Sequence, residues 1–223
     1  MSMVSRGNKG EEKVASILKK IKVEHHVFNN VSFLNEKSEM THQIDHILVH
    51  PHGVFVIETK NYYGEIIADT GEGYWVKIVK GKKEIIHNPL RQNKSHVRIV
   101  KKLLKNVEVI SIVVFVKNNA PYMGDENVIN LKDLLLFIDS YPYQKILNKE
   151  EIKEICKIIR ENKSKITKSQ HLENIFYLKQ IRKENQAEIE YAIENQKCPR
   201  CGSNILQNEY TFKCSNCDFK FKL

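Results

Sequence analysis

The stretch that decides the fold is GVFVIETK at residues 53–60. Its β-branched and aromatic residues are typical of a buried strand. Because side chains two positions apart lie on the same face of a strand, Glu58 and Lys60 share the face of Val56. A carboxylate and an ammonium at the end of an apolar strand are costly to bury without compensation. This pair is therefore a candidate functional site.

The segment QIDHILVH at residues 43–50 predicts the neighbouring strand. A two-residue hairpin loop at 51–52 sets Asp45 opposite Glu58. A loop one position later sets Asp45 opposite Lys60 and diagonal to Glu58. Both registers place the two carboxylates on one face, roughly 5 to 8 Å apart. A slip of one residue would instead put them on opposite faces.

Two carboxylates this close repel each other unless one is protonated or a cation lies between them. Oxygen ligands with a lysine beside them suit Mg²⁺ or Mn²⁺. We therefore expect Asp45 and Glu58 to bind a divalent ion. The alternative is an ordinary pair between Glu58 and Lys60 on a solvated sheet end.

The first predicted helix adds a third carboxylate. Its apolar stripe recurs every three to four residues, at Val14, Ile17, Leu18 and Ile21. Extended backwards, this stripe reaches Glu11, whereas Glu12 falls on the solvated face. Glu11 is therefore predicted to point inward. The alternative is that Glu11 only stabilises the helix start through the macrodipole.

A second predicted helix is strongly basic. Asn88 is expected to cap it, with Pro89 at its first position. From there to residue 105 the helix carries no acid. We expect its basic side chains to contact phosphates, and the alternative is a solvated lysine-rich surface. The predicted nucleic-acid contacts are Arg91, Lys94, Arg98, Lys101 and Lys105.

Four cysteines near the C-terminus form two C-x2-C pairs separated by twelve residues. This spacing suits a tetrahedral zinc site, which would supply the folding energy that so short a segment lacks. Disulfides are the alternative, and they are disfavoured because no secretion signal is recognisable. The predicted zinc ligands are Cys198, Cys201, Cys214 and Cys217.

Aromatic and basic residues alternate in the same segment. Tyr210, Phe212 and Lys213 form a mix that suits stacking on single-stranded bases. The aromatic side chains could equally pack the small core of the segment. We retain Tyr210, Phe212 and Lys213 as candidate nucleic-acid contacts.

Composition is consistent with a polyanionic partner. The chain has 223 residues and a formal net charge of +9, which favours nucleic acid. No apolar run approaches the length of a membrane span, and the N-terminus lacks a signal-peptide core. We expect a cytoplasmic protein with no membrane partner.

Five separated motifs resemble the NERD (nuclease-related domain) family of the PD-(D/E)xK nuclease superfamily. They are RGNKGE at 6–11, QIDH at 43–46, the strand 53–60, NYYG at 61–64 and NPLRQ at 88–92. The resemblance covers roughly residues 5 to 117. The cysteine segment resembles a topoisomerase-type C4 zinc ribbon.

The family resemblance implies a metal-dependent nuclease. The expected substrate is nucleic acid, with DNA favoured over RNA and endonucleolytic over exonucleolytic cleavage. It also implies that Gln92 acts at the site and that the Thr59 carbonyl is a plausible further ligand. Lys60 would position the attacking water or neutralise charge on the phosphate. Ile44, where the superfamily signature has proline, is a departure that NERD-like chains share.

The resemblance implies an α/β architecture, a PD-(D/E)xK nuclease-like mixed central sheet flanked by helices. We expect the nuclease core at residues 1–145, a helical arm at 146–196 and the zinc ribbon at 197–223. The competing function is a non-catalytic nucleic-acid-binding adaptor that uses the ribbon and the basic helix. A third possibility is an interaction protein whose ribbon binds protein.

Overall fold

The computed structural model describes residues 3–35, 40–68, 73–124, 126–142, 146–165, 168–207 and 211–222. The chain divides into two compact units, Met1–Lys168 and Ser169–Leu223. In the described part of the chain, no helix combines the length and the apolar character needed to cross a membrane.

The first unit contains both helices and strands. In chain order, the elements are α1 (Met3–Leu18), β1 (His26–Asn35), β2 (Met40–His50), β3 (Gly53–Lys60), β4 (Glu65–Ile67), β5 (Tyr74–Val79), β6 (Lys82–His87), α2 (Pro89–Leu103), β7 (Val109–Phe115), β8 (Val128–Asn130), a short 3₁₀ helix (Leu131–Asp133), α3 (Leu134–Ser140) and α4 (Lys149–Asn162).

A five-stranded mixed sheet forms the centre of this unit, in the order β1-β2-β3-β7-β8. The pairs β1–β2 and β2–β3 are antiparallel, whereas β3–β7 and β7–β8 are parallel. Strands β3 and β7 are almost continuously apolar because helices cover both of their faces. The predicted fold class, a mixed central sheet flanked by helices, is confirmed.

The β2–β3 hairpin selects the first of the two registers considered above. Its pairs run from His50 opposite Gly53 to His46 opposite Ile57. One further position in this register places Asp45 opposite Glu58. Gly53 has a φ of +131°, and a Cβ there would lie 2.9 Å from the Ile110 side chain, so the tight turn requires glycine.

The two faces of the sheet carry separate hydrophobic clusters. On one face, β3 residues such as Phe55 pack with α1 and α3. On the other face, β3 residues such as Val56 pack with α2 and α4. The apolar stripe of α4 is buried there, including Ile155 and the thiol of Cys156. The helix begins at a capping box between Asn148 and Glu151.

The position of α4 corrects the expected domain boundaries. A core ending at 145 would exclude α4, yet that helix covers the central sheet, and the first unit extends to Lys168. The cause is tertiary: the apolar stripe of α4 is buried only against the sheet. What remains of the expected arm is α5 (Lys168–Asn195), whose last turns pack with the ribbon in the second unit.

A smaller antiparallel sheet, β4-β5-β6, lies beside the end of β3. Trp75 on β5 is 1% exposed and stacks on Phe115 of β7, with ring centroids 6.4 Å apart. Ile66 and Ile86 join the same cluster. This packing attaches the small sheet to the central one.

The ribbon in the second unit contains β9 (Ile205–Gln207), β10 (Thr211–Cys214) and β11 (Lys220–Lys222), with β10 in the middle. Phe212 and Phe221 stack with ring centroids 4.7 Å apart and form its small core with Phe219.

Candidate functional site

A cavity of about 630 Å³ lies at the carboxyl end of β3. It is lined by the three predicted carboxylates, Glu11, Asp45 and Glu58, together with Thr59 and Lys60. The first half of α1, the middle of β2, the end of β3 with the loop after it, and the small sheet form its walls. The structure therefore brings together side chains that are distant in the sequence.

Asp45 is held against the backbone of the neighbouring strand. Its Oδ2 accepts a hydrogen bond of 2.8 Å from the Thr59 amide. Burial raises the pKa of the Asp45 carboxyl well above its usual value, and the charges of Glu58 and Glu11 raise it further. The Thr59 hydrogen bond and the charge of Lys60 lower the pKa in part. A cation beside Asp45 would relieve this destabilisation of the charged form.

Glu58 and Lys60 form a close ion pair. The Lys60 ammonium donates to Glu58 Oε1 at 2.6 Å, and the Glu58 side chain is only 3% exposed. Burial acts to lower the pKa of Lys60, but the Glu58 carboxylate outweighs it, so this pKa is raised above its usual value. Lys60 is therefore a fixed positive charge at the site.

Gln92 reaches the site from α2. Its Oε1 accepts a hydrogen bond of 3.0 Å from the Lys60 ammonium. The Asn88 side chain caps the helix by accepting from the amides of Leu90 and Arg91. Gln92 therefore lies in the first turn of a capped helix, beside Lys60.

His96 is a neighbour of Glu58 that the sequence reasoning left without a role. It lies one turn after Gln92 and is 5% exposed. Its Nδ1 is 3.5 Å from Glu58 Oε2. The one-turn spacing from Gln92 indicates that His96 lies on the same face of α2. It does not indicate Glu58 as the partner, because the sequence does not show how α2 packs against β3.

Asn93 is a buried polar residue that the sequence reasoning missed. It is fully buried, and its amide donates to the carbonyls of Val56 and Ile112 and to the Ser111 hydroxyl. These bonds fasten α2 to β3 and β7. The signal was its position in the apolar stripe of α2, three residues after Leu90, where a polar side chain needs partners.

The donor set at the cavity fits a hard divalent cation. Glu58 Oε2 is buried and has no hydrogen-bond partner among the described residues. Mg²⁺ typically binds one or two carboxylates and completes its shell with water and phosphate oxygens. Within the described residues, the three carboxylates do not all come within 4.8 Å of one another. Such an ion needs no more than two protein carboxylates, and Asp45 and Glu58 offer them.

Comparison with known proteins agrees with this geometry. The profile of the nuclease-related domain family, NERD, matches residues 6–116. An uncharacterized protein of Bacillus anthracis is 31% identical over 164 residues, which span 70% of this chain and 77% of the relative. This chain belongs to the NERD family. No solved structure matches it.

The basic helix of the NERD domain is shorter than predicted. It ends at Leu103, and Leu104 is its C-cap, so Lys105 lies beyond it. The five basic residues expected to contact nucleic acid are all exposed. Lys94 pairs with Glu126, an acid from a distant part of the chain, so the helix is less purely basic than its own sequence indicates.

The four cysteines that follow the NERD domain form a cluster that could hold a metal ion. Their sulfur atoms all lie within 4.8 Å of one another, and no other such cluster occurs in the described residues. Three sulfur pairs are 3.4 to 3.7 Å apart. A tetrahedral zinc site with bonds of about 2.3 Å has sulfur atoms about 3.8 Å apart, whereas a disulfide is about 2 Å long. The cluster therefore has the geometry of a zinc site.

The expected nucleic-acid contacts of the ribbon need a correction. Phe212 is 4% exposed and stacks on Phe221. It packs the ribbon core and presents no face to a base, so its prediction as a nucleic-acid contact is wrong. Lys213 is exposed, whereas Tyr210 lies outside the described residues.

Proposed function

We propose that this NERD protein is a divalent-metal-dependent nuclease that hydrolyses phosphodiester bonds of DNA. The observation that carries the proposal is that Asp45, Glu58 and Lys60 line one cavity, with the Lys60 ammonium held between Glu58 and Gln92. A protein that only binds a polyanion gains nothing from carboxylates at the contact, because they repel phosphate.

In this proposal Asp45 and Glu58 hold Mg²⁺ or Mn²⁺, with the Thr59 carbonyl as a further ligand. When bound, the divalent ion supplies Lewis-acid polarisation of the phosphate. The Thr59 amide keeps Asp45 in place through its 2.8 Å hydrogen bond. Asp45 would bind the ion in its charged form, because a carboxylate ligand must be deprotonated.

Lys60 stabilises the negative charge that develops on the phosphate. Its ammonium is held between Glu58 Oε1 and Gln92 Oε1, at 2.6 and 3.0 Å. A positive charge held in advance needs little reorganisation during the reaction. Gln92 orients Lys60 and offers its amide NH₂ to water or phosphate, and Glu11 orients water at the edge of the cavity.

In this proposal, the remaining parts of the chain bind DNA but do not cleave it. Exposed basic residues on and just after α2, and Lys213 on the ribbon, contact phosphates without regard to sequence. A structural zinc ion holds the ribbon through its four cysteines. The unbridged thiols suit a reducing, cytoplasmic compartment.

A substrate panel tests the proposal. Purified protein is incubated with linear, circular and single-stranded DNA and with RNA, in Mg²⁺, in Mn²⁺ and in a chelator. We expect metal-dependent cleavage of DNA, and cleavage of closed circles if the enzyme is an endonuclease. Tight binding to every DNA without cleavage in either metal would contradict the proposal and support the adaptor function.

A further inference from the structure

The loop after β3 carries an exposed aromatic side chain at the candidate site. Tyr63 is 54% exposed and lines the same cavity as Asp45, Glu58 and Lys60. Its neighbour Tyr62 packs instead against the hydrophobic cluster around the small sheet. A large, half-exposed ring beside a cavity that holds charged side chains adds little to the core, and such rings are common at binding surfaces.

The backbone on both sides of Tyr63 is fixed. Gly64 has a φ of +89°, and a Cβ there would lie 2.0 Å from the Ile78 carbonyl oxygen, so only glycine fits. The Asn119 amide donates to the carbonyl of Tyr62 at 3.2 Å and to that of Gly64 at 2.6 Å. One side chain therefore braces both neighbours of Tyr63, which sets the ring at one place on the cavity wall.

A lysine accompanies the ring. The Lys117 ammonium lies 4.1 Å from the centroid of the Tyr63 ring. Lys117 follows the end of β7, where Phe115 pairs with Lys60 of β3 in parallel register. The two lysines therefore lie at the carboxyl edge of two parallel strands, the edge where ligands bind in open α/β sheets.

We propose that Tyr63 is a stacking platform for an unpaired nucleobase next to the phosphate at Lys60, with Lys117 contacting the adjoining phosphate. The substrate is accordingly a single-stranded segment of DNA. The bases of an intact duplex are stacked on one another, so only an unpaired base offers its face to a protein ring. This inference rests on the proposed function, because it takes nucleic acid as the ligand of the cavity.

Binding measurements on full-length protein test the platform. Asp45→Asn is present throughout, so that no strand is cut, and the probes are a fluorescein-labelled 15-mer and the blunt duplex of the same sequence. Tyr63→Ala should weaken binding of the single strand roughly 5- to 100-fold, as loss of one stacked base does. Binding of the duplex should change less than about twofold, because phosphate contacts dominate it.

Two variants serve as controls. Tyr63→Phe keeps the ring and should bind the single strand within about twofold of the parent. Tyr122→Ala removes a tyrosine that is 94% exposed on the loop before β8 and should have no effect. An equal loss on strand and duplex, a Phe variant as weak as the Ala variant, or no loss at all would each overturn the platform.

Cleavage of the same 15-mer by protein with native Asp45 separates this inference from the proposed function. Absence of cleavage, together with binding that depends on Tyr63, would refute the nuclease and support the platform. Normal cleavage with binding that is indifferent to Tyr63→Ala would refute the platform alone.

Discussion

The two units differ in the size of the hydrophobic core beside their candidate metal sites. In the first unit, the sheet that carries Asp45 and Glu58 is packed on both faces, whereas in the ribbon the four cysteines lie beside a few phenylalanines. In the first unit the buried apolar residues can maintain the fold without a metal ion. The ribbon is too small to bury a sufficient core, so we expect an ion at its cysteines to supply folding energy.

The two sites differ in donor chemistry accordingly. Asp45 and Glu58 offer oxygen ligands beside a fixed positive charge, Lys60, and they leave room for water and phosphate. The cysteine cluster offers four sulfur ligands, which are enough to fill the tetrahedral shell of a zinc ion without an open position. One site is therefore suited to exchange substrate and the other to remain closed.

The largest expected effect is removal of zinc from the ribbon. Cys214→Ser should abolish stoichiometric zinc and unfold the ribbon, because structural zinc contributes roughly 10 kcal/mol or more to such a fold. Elemental analysis of the purified protein gives the zinc content, and amide hydrogen exchange reports the ribbon strands. Zinc retained at one ion per chain after Cys214→Ser would show that the four-thiolate site is wrong.

Truncation sharpens the same contrast. The structure places the end of the first unit at Lys168, so residues 1–168 should fold without zinc, cleave DNA and bind it more weakly. For the Cys214→Ser experiment, the matched control is Cys156→Ser in full-length protein. Cys156 lies in the first unit, so its replacement should leave the zinc content unchanged. A folded 1–168 fragment without any cleavage would mean that the ribbon is part of the active unit.

The next largest effect is on turnover. Lys60→Ala should slow cleavage roughly 100-fold or more at saturating metal. The variant lacks the fixed positive charge that stabilises the negative charge developing on the phosphate. Lys77→Ala, in the same cavity but paired with Glu84 on the small sheet, is the control and should lose less than about tenfold. Single-turnover rates at several metal concentrations separate rate from metal affinity. A large loss of affinity at an unchanged rate would contradict the role of Lys60.

A moderate effect is expected on stability without metal. Because the folded state raises the pKa of Asp45, its charged form is disfavoured, and stability falls as pH rises through that pKa. Asp45→Asn should therefore raise the free energy of unfolding at pH 8 and have little effect at pH 4. Glu12→Gln, on the exposed face of α1, is the control.

The measurement is thermal or urea unfolding of chelator-treated protein at pH 8 and at pH 4. In native protein, Mg²⁺ should stabilise more at pH 8 than at pH 5, because binding releases the Asp45 proton. Destabilisation by Asp45→Asn at pH 8 without metal would show that Asp45 is not under electrostatic strain.

The smallest effect concerns the basic surface. Arg98→Gln with Lys101→Gln should weaken DNA binding similarly for all sequences and reduce the slope of log affinity against log salt by about 2. Lys19→Gln with Lys20→Gln carries the same charge change just after α1, the helix on the other face of the sheet, and should leave the slope unchanged. Equal slopes for the two double variants would mean that the α2 surface is only solvated.

The sequence predicted those parts of the molecule that depend on local pattern. The strand around Glu58, the Asn88 cap and the spacing of the four cysteines all have short-range signals, and the structure contains each of them. The hairpin register depends on the turn, and the sequence was compatible with two loop positions. The structure has the loop at residues 51–52, followed by Gly53 with a positive φ.

The parts that the sequence did not predict depend on what lies across a face. Periodicity shows that one face of α4 is apolar but not that the central sheet covers it. Similarly, an aromatic such as Phe212 can stack on a base or fill a core, and only packing distinguishes the two. The pairing of Lys94 with Glu126 and the approach of His96 to Glu58 join positions more than thirty residues apart, which no local pattern encodes.

The central claim is that Asp45 and Glu58 together hold the ion that hydrolysis requires. The most direct test compares cleavage by native protein, Asp45→Asn, Glu58→Gln and the control Glu84→Gln, a cavity acid paired with Lys77. At saturating Mn²⁺, in preparations free of other nucleases, the first two variants should lose at least about 1,000-fold in rate. DNA binding should remain, and Glu84→Gln should cleave normally. Cleavage at the native rate by either Asp45→Asn or Glu58→Gln would contradict the claim.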